Sequence, residues 1–191
     1  MNILSIIPAR GGSKGIPRKN LLKIGNLTIV ERSLILAIKT SIIDDIVVST
    51  DSVEIQNLVN RHGKFSPFIR PENLATDKAR SLDVIKHALK WAEKNYYKKY
   101  DYIVLLEPPS PFRLPRHILK GIEIAEATNA TSVVSLIEVG DYHPIRMKEL
   151  DKDGKIRGII KDEPDGVRRQ DQNPVYIRNC AVYVFSTKTI K

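Results

Sequence analysis

Between Ile7 and Asn20 the chain reads IPARGGSKGIPRKN, which sets two adjacent glycines, Gly11 and Gly12, among four cations, Arg10, Lys14, Arg18 and Lys19. Glycines let a backbone turn tightly and approach a ligand closely, and exposed N–H groups beside cations suit a polyanion such as a nucleoside triphosphate. The segment reads as a phosphate cradle. A basic surface turn has a similar composition, but position favours the cradle. The loop follows an apolar, strand-like run, Ile3 to Pro8, and so lies at the carboxyl edge of a sheet, where α/β folds bind ligands. Neither G-x-x-x-x-G-K-[ST] nor G-x-G-x-x-G occurs, which argues against ordinary phosphate-loop and dinucleotide folds.

Four further groups of residues have chemical potential. Asp51 closes the run VVSTD, where a carboxylate at the sheet edge could hold a metal or a ligand hydroxyl, or simply cap the helix that follows. From Ile69 to Val84 the sequence IRPENLATDKARSLDV passes through a polar loop into a helix with Ser81 as its expected cap. Arg70 and the helix-start N–H groups could reach a nucleobase or its phosphates, while Asp77 and Lys78 read equally well as solvated loop charges. LLEPPSPFR, Leu105 to Arg113, is stiffened by three prolines, which makes Glu107, Ser110 and Arg113 candidate substrate contacts on a rigid loop, or members of a plain turn. Later come Tyr142, His143 and Arg146 in DYHPIR, then Arg168, Arg169 and Gln170; Arg forks suit carboxylates, so these could recognise an acidic sugar. His143 beside Pro144 reads as a packed loop residue rather than a catalyst. No Ser-His-Asp set and no paired histidines at zinc-ligand spacing are evident.

These residues need a frame. Apolar, β-branched runs at Ile3 to Pro8, Ile46 to Thr50, Phe65 to Ile69, Tyr102 to Leu106, Thr131 to Ile137 and Ala181 to Phe185 predict strands buried on both faces. Thr28 with Glu31 predicts a capping box before a helix over Ile29 to Thr40, and Ser52 to Arg61 and Ser81 to Asn95 carry the helical period. Strands alternating with helices imply an α/β fold with a doubly wound, largely parallel sheet. From Gly140 to Tyr176 the chain becomes charged and rich in turn residues, with Asp153-Gly154 as a hairpin turn. This is an excursion from the sheet that either caps the site or pairs with a second subunit.

Composition narrows the class. With 191 residues, 42% hydrophobic and 28% charged, the chain is expected to form a single domain over residues 1–191. No apolar run approaches the ~20 residues that span a bilayer, and the first residues lack the charged start and small-residue cleavage site of a signal peptide, so no membrane partner is expected. The single Cys180 excludes an internal disulfide and fits a reducing cytoplasm. A net charge of +9 invites a nucleic-acid reading, but the cations are dispersed among 22 acids and no RNA-binding aromatic motif or zinc-finger spacing accompanies them. The excess reads partly as solvated surface and partly as a site for small acidic substrates, rather than as a nucleic-acid surface.

Taken in order, IPARGGSKGIPRKN, VVSTD, RPENLATDKARSLDV, LLEPPSPFR, YHPIR and RRQDQNPVYIRNCAVY resemble the acylneuraminate cytidylyltransferases, or CMP-sialic acid synthetases, along almost the whole chain. The resemblance implies a Rossmann-like nucleotidyltransferase fold, usually a homodimer, in which the anomeric hydroxyl of a sugar acid attacks the α-phosphorus of CTP with Mg²⁺ assistance. It implies that Arg10, Ser13, Lys14, Lys19 and Asn20 hold the triphosphate, with Gly11 and Gly12 between them and Arg10 and Lys19 acting in catalysis. It further implies that Arg70, Ala79 and Ser81 contact the cytidine and that Arg146, Arg169 and Tyr183 face the sugar acid, joined by Glu107.

The chain departs from that pattern in three places. Glu107 stands where the family usually has Gln, so an acceptor-only carboxylate replaces an amide that can donate, which suits a different sugar. Cys180 stands where the family has the Gly of an Asn-Gly-Ala turn. The family's Asp-x-Asp metal-binding segment is expected beyond Lys191, so within this sequence Asp51 is the first metal candidate. Other sugar acids (legionaminic, pseudaminic) or another nucleotide are alternative substrates, and a non-catalytic nucleotide- or sugar-binding module is the alternative of a different class. A 3-deoxy-octulosonic acid is disfavoured, because those enzymes carry Leu-Gln-Gly-Asp where this chain has Leu106-Glu107-Pro108-Pro109.

Overall fold

The structure is a computed structural model that describes residues 1–13, 15–160, 168 and 171–190. Its first strand, β1 (Ile3–Pro8), is followed by the phosphate-cradle loop, a short hairpin of β2 (Lys23–Ile24) and β3 (Leu27–Thr28), and helix α1 (Ile29–Ile38). Then come β4 (Asp45–Ser49), α2 (Val53–Asn60), α3 (Ser81–Asn95), β5 (Tyr102–Leu105), α4 (Pro115–Thr128) and β6 (Ser132–Glu138). A small antiparallel hairpin, β7 (Lys148–Leu150) with β8 (Ile156–Gly158), precedes the long last strand β9 (Tyr176–Ser186).

Five strands form one sheet in the order β4-β1-β5-β9-β6. β1 pairs in parallel with both β4 and β5, whereas β9 lies antiparallel to β5. The sheet is thus parallel at its heart and mixed at the β9 side, a Rossmann-like α/β arrangement as expected. Strand alternation sorts the core into two layers. Ile3 and Ile7 pack with Leu34 of α1, Ile55 of α2 and Ile118 and Ile122 of α4, while Leu4 and Ile6 pack with Ile85, Ala88 and Leu89 of α3. Helices therefore cover both faces, and the carboxyl ends of β1 and β5 are left open for loops.

Local chemistry explains most boundaries. The Thr28 side chain accepts from the Glu31 amide at 3.2 Å while the Glu31 carboxylate accepts from the Thr28 amide at 2.9 Å, the reciprocal box that starts α1. Ser52 caps α2 through its hydroxyl. Ser81 is not a cap: it is the first residue of α3, and Arg80 occupies the cap position without a capping side-chain bond. α4 is an element that strand and helix patterning missed; Pro115 at its first turn and Ile118, Ile122 and Ala125 on one face are the signals it offered. The stretch Phe65 to Ile69 is not a strand. Only one bridge, Thr50 to Ile69, and a bond from the Val48 amide to the Phe65 carbonyl join it to the sheet, because Pro67 at its centre has no N–H to donate.

Two compact units divide the chain, residues 1–135 with 180–191 and residues 136–179. The second contains the β7–β8 hairpin, in which Gly154 takes a positive φ of 78° at the turn.

The box at α1 generates a stability prediction. Burial opposes ionisation of Glu31, but the Thr28 amide and hydroxyl, with His62, overcome it and hold its pKa below the ordinary value. A depressed carboxylate contributes its stability above the unfolded pKa and loses it as pH falls through the folded one. Thr28→Ala should therefore cost about 1–2 kcal/mol in urea unfolding at pH 7, and the deficit should shrink at pH values below the usual carboxylate range.

Candidate functional site

A cavity of about 320 Å³ opens where the loops after β1 and β5 meet the start of α3. The cradle loop supplies Arg10, Ser13, Lys19 and Asn20, the segment before α3 supplies Arg70, Ala79 and Ser81, and the loop after β5 supplies Glu107. Residues far apart in sequence thus converge on one pocket of the first unit. Lys14 and Arg169 lie outside the described residues.

The cradle is shaped by two bonds and one close approach. The Gly11 amide donates to Asp51 Oδ1 at 2.8 Å, and the buried Asn20 donates from Nδ2 to the Arg10 carbonyl at 2.8 Å. A Cβ on Gly11 would meet Ser52 Cβ at 2.9 Å, whereas a Cβ on Gly12 would meet nothing within 4 Å. Gly11 is therefore required by the fold, and Gly12 faces the open space that a ligand needs. Asp51 does not cap α2, since Ser52 does; its carboxylate instead ties the cradle to the end of β4. Arg18 departs from the cradle. With φ at 52° it pairs with Glu54 and lines a separate cavity of about 470 Å³ with Lys23 and Arg61.

Arg70 is buried beneath the pocket, donating from Nε to Ser49 Oγ at 2.9 Å and from its terminal nitrogen to the Ser49 carbonyl. Burial lowers its pKa, the Asp51 charge counters that, and the Arg10 charge adds to it. Two guanidinium groups converging on one pocket create a positive field suited to an anion. The first turn of α3 borders the same pocket through Ser81 and Val84.

Glu107 lines the pocket, but Arg113 does not. Arg113 is buried and structural, donating to the Ala181 carbonyl at 3.0 Å and to Ser33 Oγ at 2.7 Å, and burial pulls its pKa down to about 10 against the opposing charge of Glu107. Ser110 likewise donates to the Cys180 carbonyl at 3.0 Å. Both residues therefore clamp the proline-rich loop onto β9. Cys180 has a φ of 57°, the left-handed conformation in which the related Gly would be at ease, and its sulfur accepts from Tyr183 at 3.2 Å. Tyr183 stands opposite Leu105 on β9 and stacks on Phe185.

In the second unit Arg146 pairs with Asp141 at 3.1 Å. His143 is occupied at both nitrogens: Nδ1 accepts from the Ile145 amide and Nε2 donates to the Asn173 carbonyl. That is a packed loop histidine, as its neighbour Pro144 implied. Among the described residues no group of three or more His, Cys, Asp or Glu is placed to hold a metal. With Oδ1 of Asp51 engaged by the Gly11 amide, these side chains alone do not form a metal cage. Nor, among the described residues, is any helix long and apolar enough to cross a membrane.

The sequence matches the family described as Cytidylyltransferase over residues 4–188. The chain belongs to that family of nucleotidyltransferases. It is 33% identical to the CMP-N,N'-diacetyllegionaminic acid synthase of Legionella pneumophila over 193 residues, covering 100% of this chain and 80% of that protein. It is 37% identical to the N-acylneuraminate cytidylyltransferase of Escherichia coli over 176 residues, covering 86% of this chain but 41% of that protein. Among solved structures, a CMP:2-keto-3-deoxy-manno-octonic acid synthetase complexed with CTP superposes with a TM-score of 0.71 at 17% identity, over 100% of this chain and 76% of that one. At that identity the likeness speaks for the fold alone.

The two cradle glycines separate folding from binding. Gly11→Ala should destabilise the protein by roughly 1–3 kcal/mol, since the cradle or α2 must shift to admit the methyl group. Gly12→Ala should leave the melting temperature nearly unchanged and act on ligand affinity instead. Thermal unfolding with a parallel nucleotide titration reads both.

Proposed function

We propose that this chain transfers CMP from CTP to the anomeric hydroxyl of a sialic-acid-like sugar acid and releases pyrophosphate. The observation that carries the reading is the single pocket in which Arg10, Ser13, Lys19, Arg70, Ala79, Ser81 and Glu107 converge, in a chain of the cytidylyltransferase family. The sugar oxygen forms a bond to the α-phosphorus and gives its proton to water while the bond from that phosphorus to the bridging oxygen breaks, and the electron pair leaves with pyrophosphate. Such a transfer chiefly requires alignment and neutralisation of charge on phosphate oxygens. Arg10, Lys19 and Ser13, with Lys14 of the same loop, would hold the triphosphate; Arg70, Ala79 and Ser81 would border the cytidine. Glu107, with Arg146, Arg169 and Tyr183, would face the sugar acid.

Mg²⁺ would accompany the triphosphate, because this ion keeps several waters and needs only one or two carboxylates besides phosphate oxygens. When bound, it would neutralise phosphate charge, with Asp51 as the carboxylate of this chain that would hold it. Names of the relatives differ in the sugar, legionaminic acid in one and acylneuraminic acid in the other, and Glu107 favours a sugar that presents a donor to this position. Residues 1–191 would act as one catalytic domain, in the cytoplasm, where one exposed free cysteine is tolerated. A non-catalytic binding module would hold CTP without releasing pyrophosphate, so a coupled pyrophosphate assay with CTP, Mg²⁺ and legionaminic, pseudaminic and N-acetylneuraminic acids decides between the readings.

Arg10→Ala should weaken CTP binding by about 1.5–3 kcal/mol, the contribution of a charge-assisted contact to phosphate. Isothermal titration of the folded variant measures it, and equal affinities would remove Arg10 from the site.

A homodimer is the second proposal, with residues 140–176 as its interface. Tyr142, Leu150, Ile156 and Tyr176 within this stretch are all more than half exposed, and exposed apolar side chains gathered on one small unit mark an interaction surface. Leu150→Glu with Ile156→Glu should convert the dimer to a folded monomer in light scattering.

A further inference from the structure

Arg10 Nη1 donates to Asp77 Oδ1 at 2.7 Å. Both residues line the nucleotide pocket, so the cation assigned to phosphate is already held by a carboxylate. Asp77 sits in the loop from Pro71 to Arg80, between the buried anchor Arg70 and the start of α3. Backbone bonds in this loop run largely within it: the Leu74 amide to the Pro71 carbonyl, Ala75 to Glu72 and Ala79 to Thr76. The loop also contributes Leu74, Thr76 and Ala79 to the pocket wall. A loop braced mainly by local bonds opens at low free-energy cost, and the Arg10–Asp77 pair fastens it to the cradle.

Resting on the function proposed above, we propose that Asp77 is a latch that stands in for phosphate. It holds Arg10 in position and the Pro71 to Arg80 loop against the cradle while the pocket is empty, and surrenders Arg10 when a polyphosphate arrives. A carboxylate and a phosphate oxygen compete for the same fork of donors, and the phosphate, with more charge and more oxygens, displaces the carboxylate. The exchange orders Arg10 before binding and links occupancy of the triphosphate subsite to release of the loop beside the cytidine.

The pair is partly exposed, so its effect is modest, about 2- to 5-fold. The test compares wild type, Asp77→Asn, Arg10→Ala and the double variant by amide hydrogen exchange of residues 71–80 and by calorimetric titration with inorganic pyrophosphate, CTP and cytidine. Before ligand is added each single variant should raise loop exchange about 2- to 5-fold, and the double variant should add less than the sum of the two, since each removes the Arg10–Asp77 bond. Asp77→Asn should bind pyrophosphate and CTP about 2- to 5-fold more tightly and cytidine as wild type does. Unchanged loop exchange, even with tighter pyrophosphate binding, would reduce Asp77 to simple charge repulsion and overturn the latch; weaker pyrophosphate binding would overturn it as well. Failure of the wild type to bind CTP would instead defeat the proposed function, while the loop exchange still judges the latch.

Discussion

The bond from the Gly11 amide to Asp51 Oδ1 is the constraint on which the site depends. It joins the loop leaving β1 to the turn between β4 and α2, and it forms only because Gly11 lets that loop lie against Ser52. From this fixed point the cradle runs on to Asn20, whose amide closes it by holding the Arg10 carbonyl. Two short hydrogen bonds and one missing methyl group thus set the backbone from which Arg10, Ser13 and Lys19 reach the pocket. The parallel pairing of β1 with β4 and β5 brings those ends together in the first place.

A second set of restraints acts on the opposite wall. Arg113, buried between α1 and β9, and Ser110 hold the proline-rich loop that carries Glu107. Arg70 is held by Ser49, so the floor of the pocket is a buried cation anchored on β4. Charge here is arranged by burial and pairing rather than by surface excess: Asp51 offsets Arg70, Glu107 offsets Arg113, and Asp77 offsets Arg10. The site is preorganised for an anion while no bare cluster of cations has to be stabilised.

Much of this was legible in the sequence, for identifiable reasons. The capping box at Thr28 and Glu31, the helix over Ser81 to Asn95 and the strand Ile3 to Pro8 are local patterns, and they formed where the pattern placed them. Arg10, Ser13, Lys19, Arg70, Ala79, Ser81 and Glu107 converge because each belongs to a loop or a helix start at the same sheet edge. What sequence could not deliver was direction. Arg18 lies one residue from Lys19, yet its left-handed backbone sends it to Glu54. Arg113 looked like a substrate contact because arginine so often is one; only the tertiary fold reveals that Ser33 and the Ala181 carbonyl claim it. Asp77 read as a solvated charge for the same reason, since its partner lies 67 residues away.

The account rests on CTP lying in the pocket at the carboxyl ends of β1 and β5, with its phosphates on the cradle. The most direct measurement is a crystal structure of the chain with CTP. The triphosphate should lie against Arg10, Ser13 and Lys19, with the cytidine beside Ser81 and the Gly11–Asp51 bond intact. A nucleotide bound instead in the cavity of Arg18, Lys23 and Arg61 would contradict it.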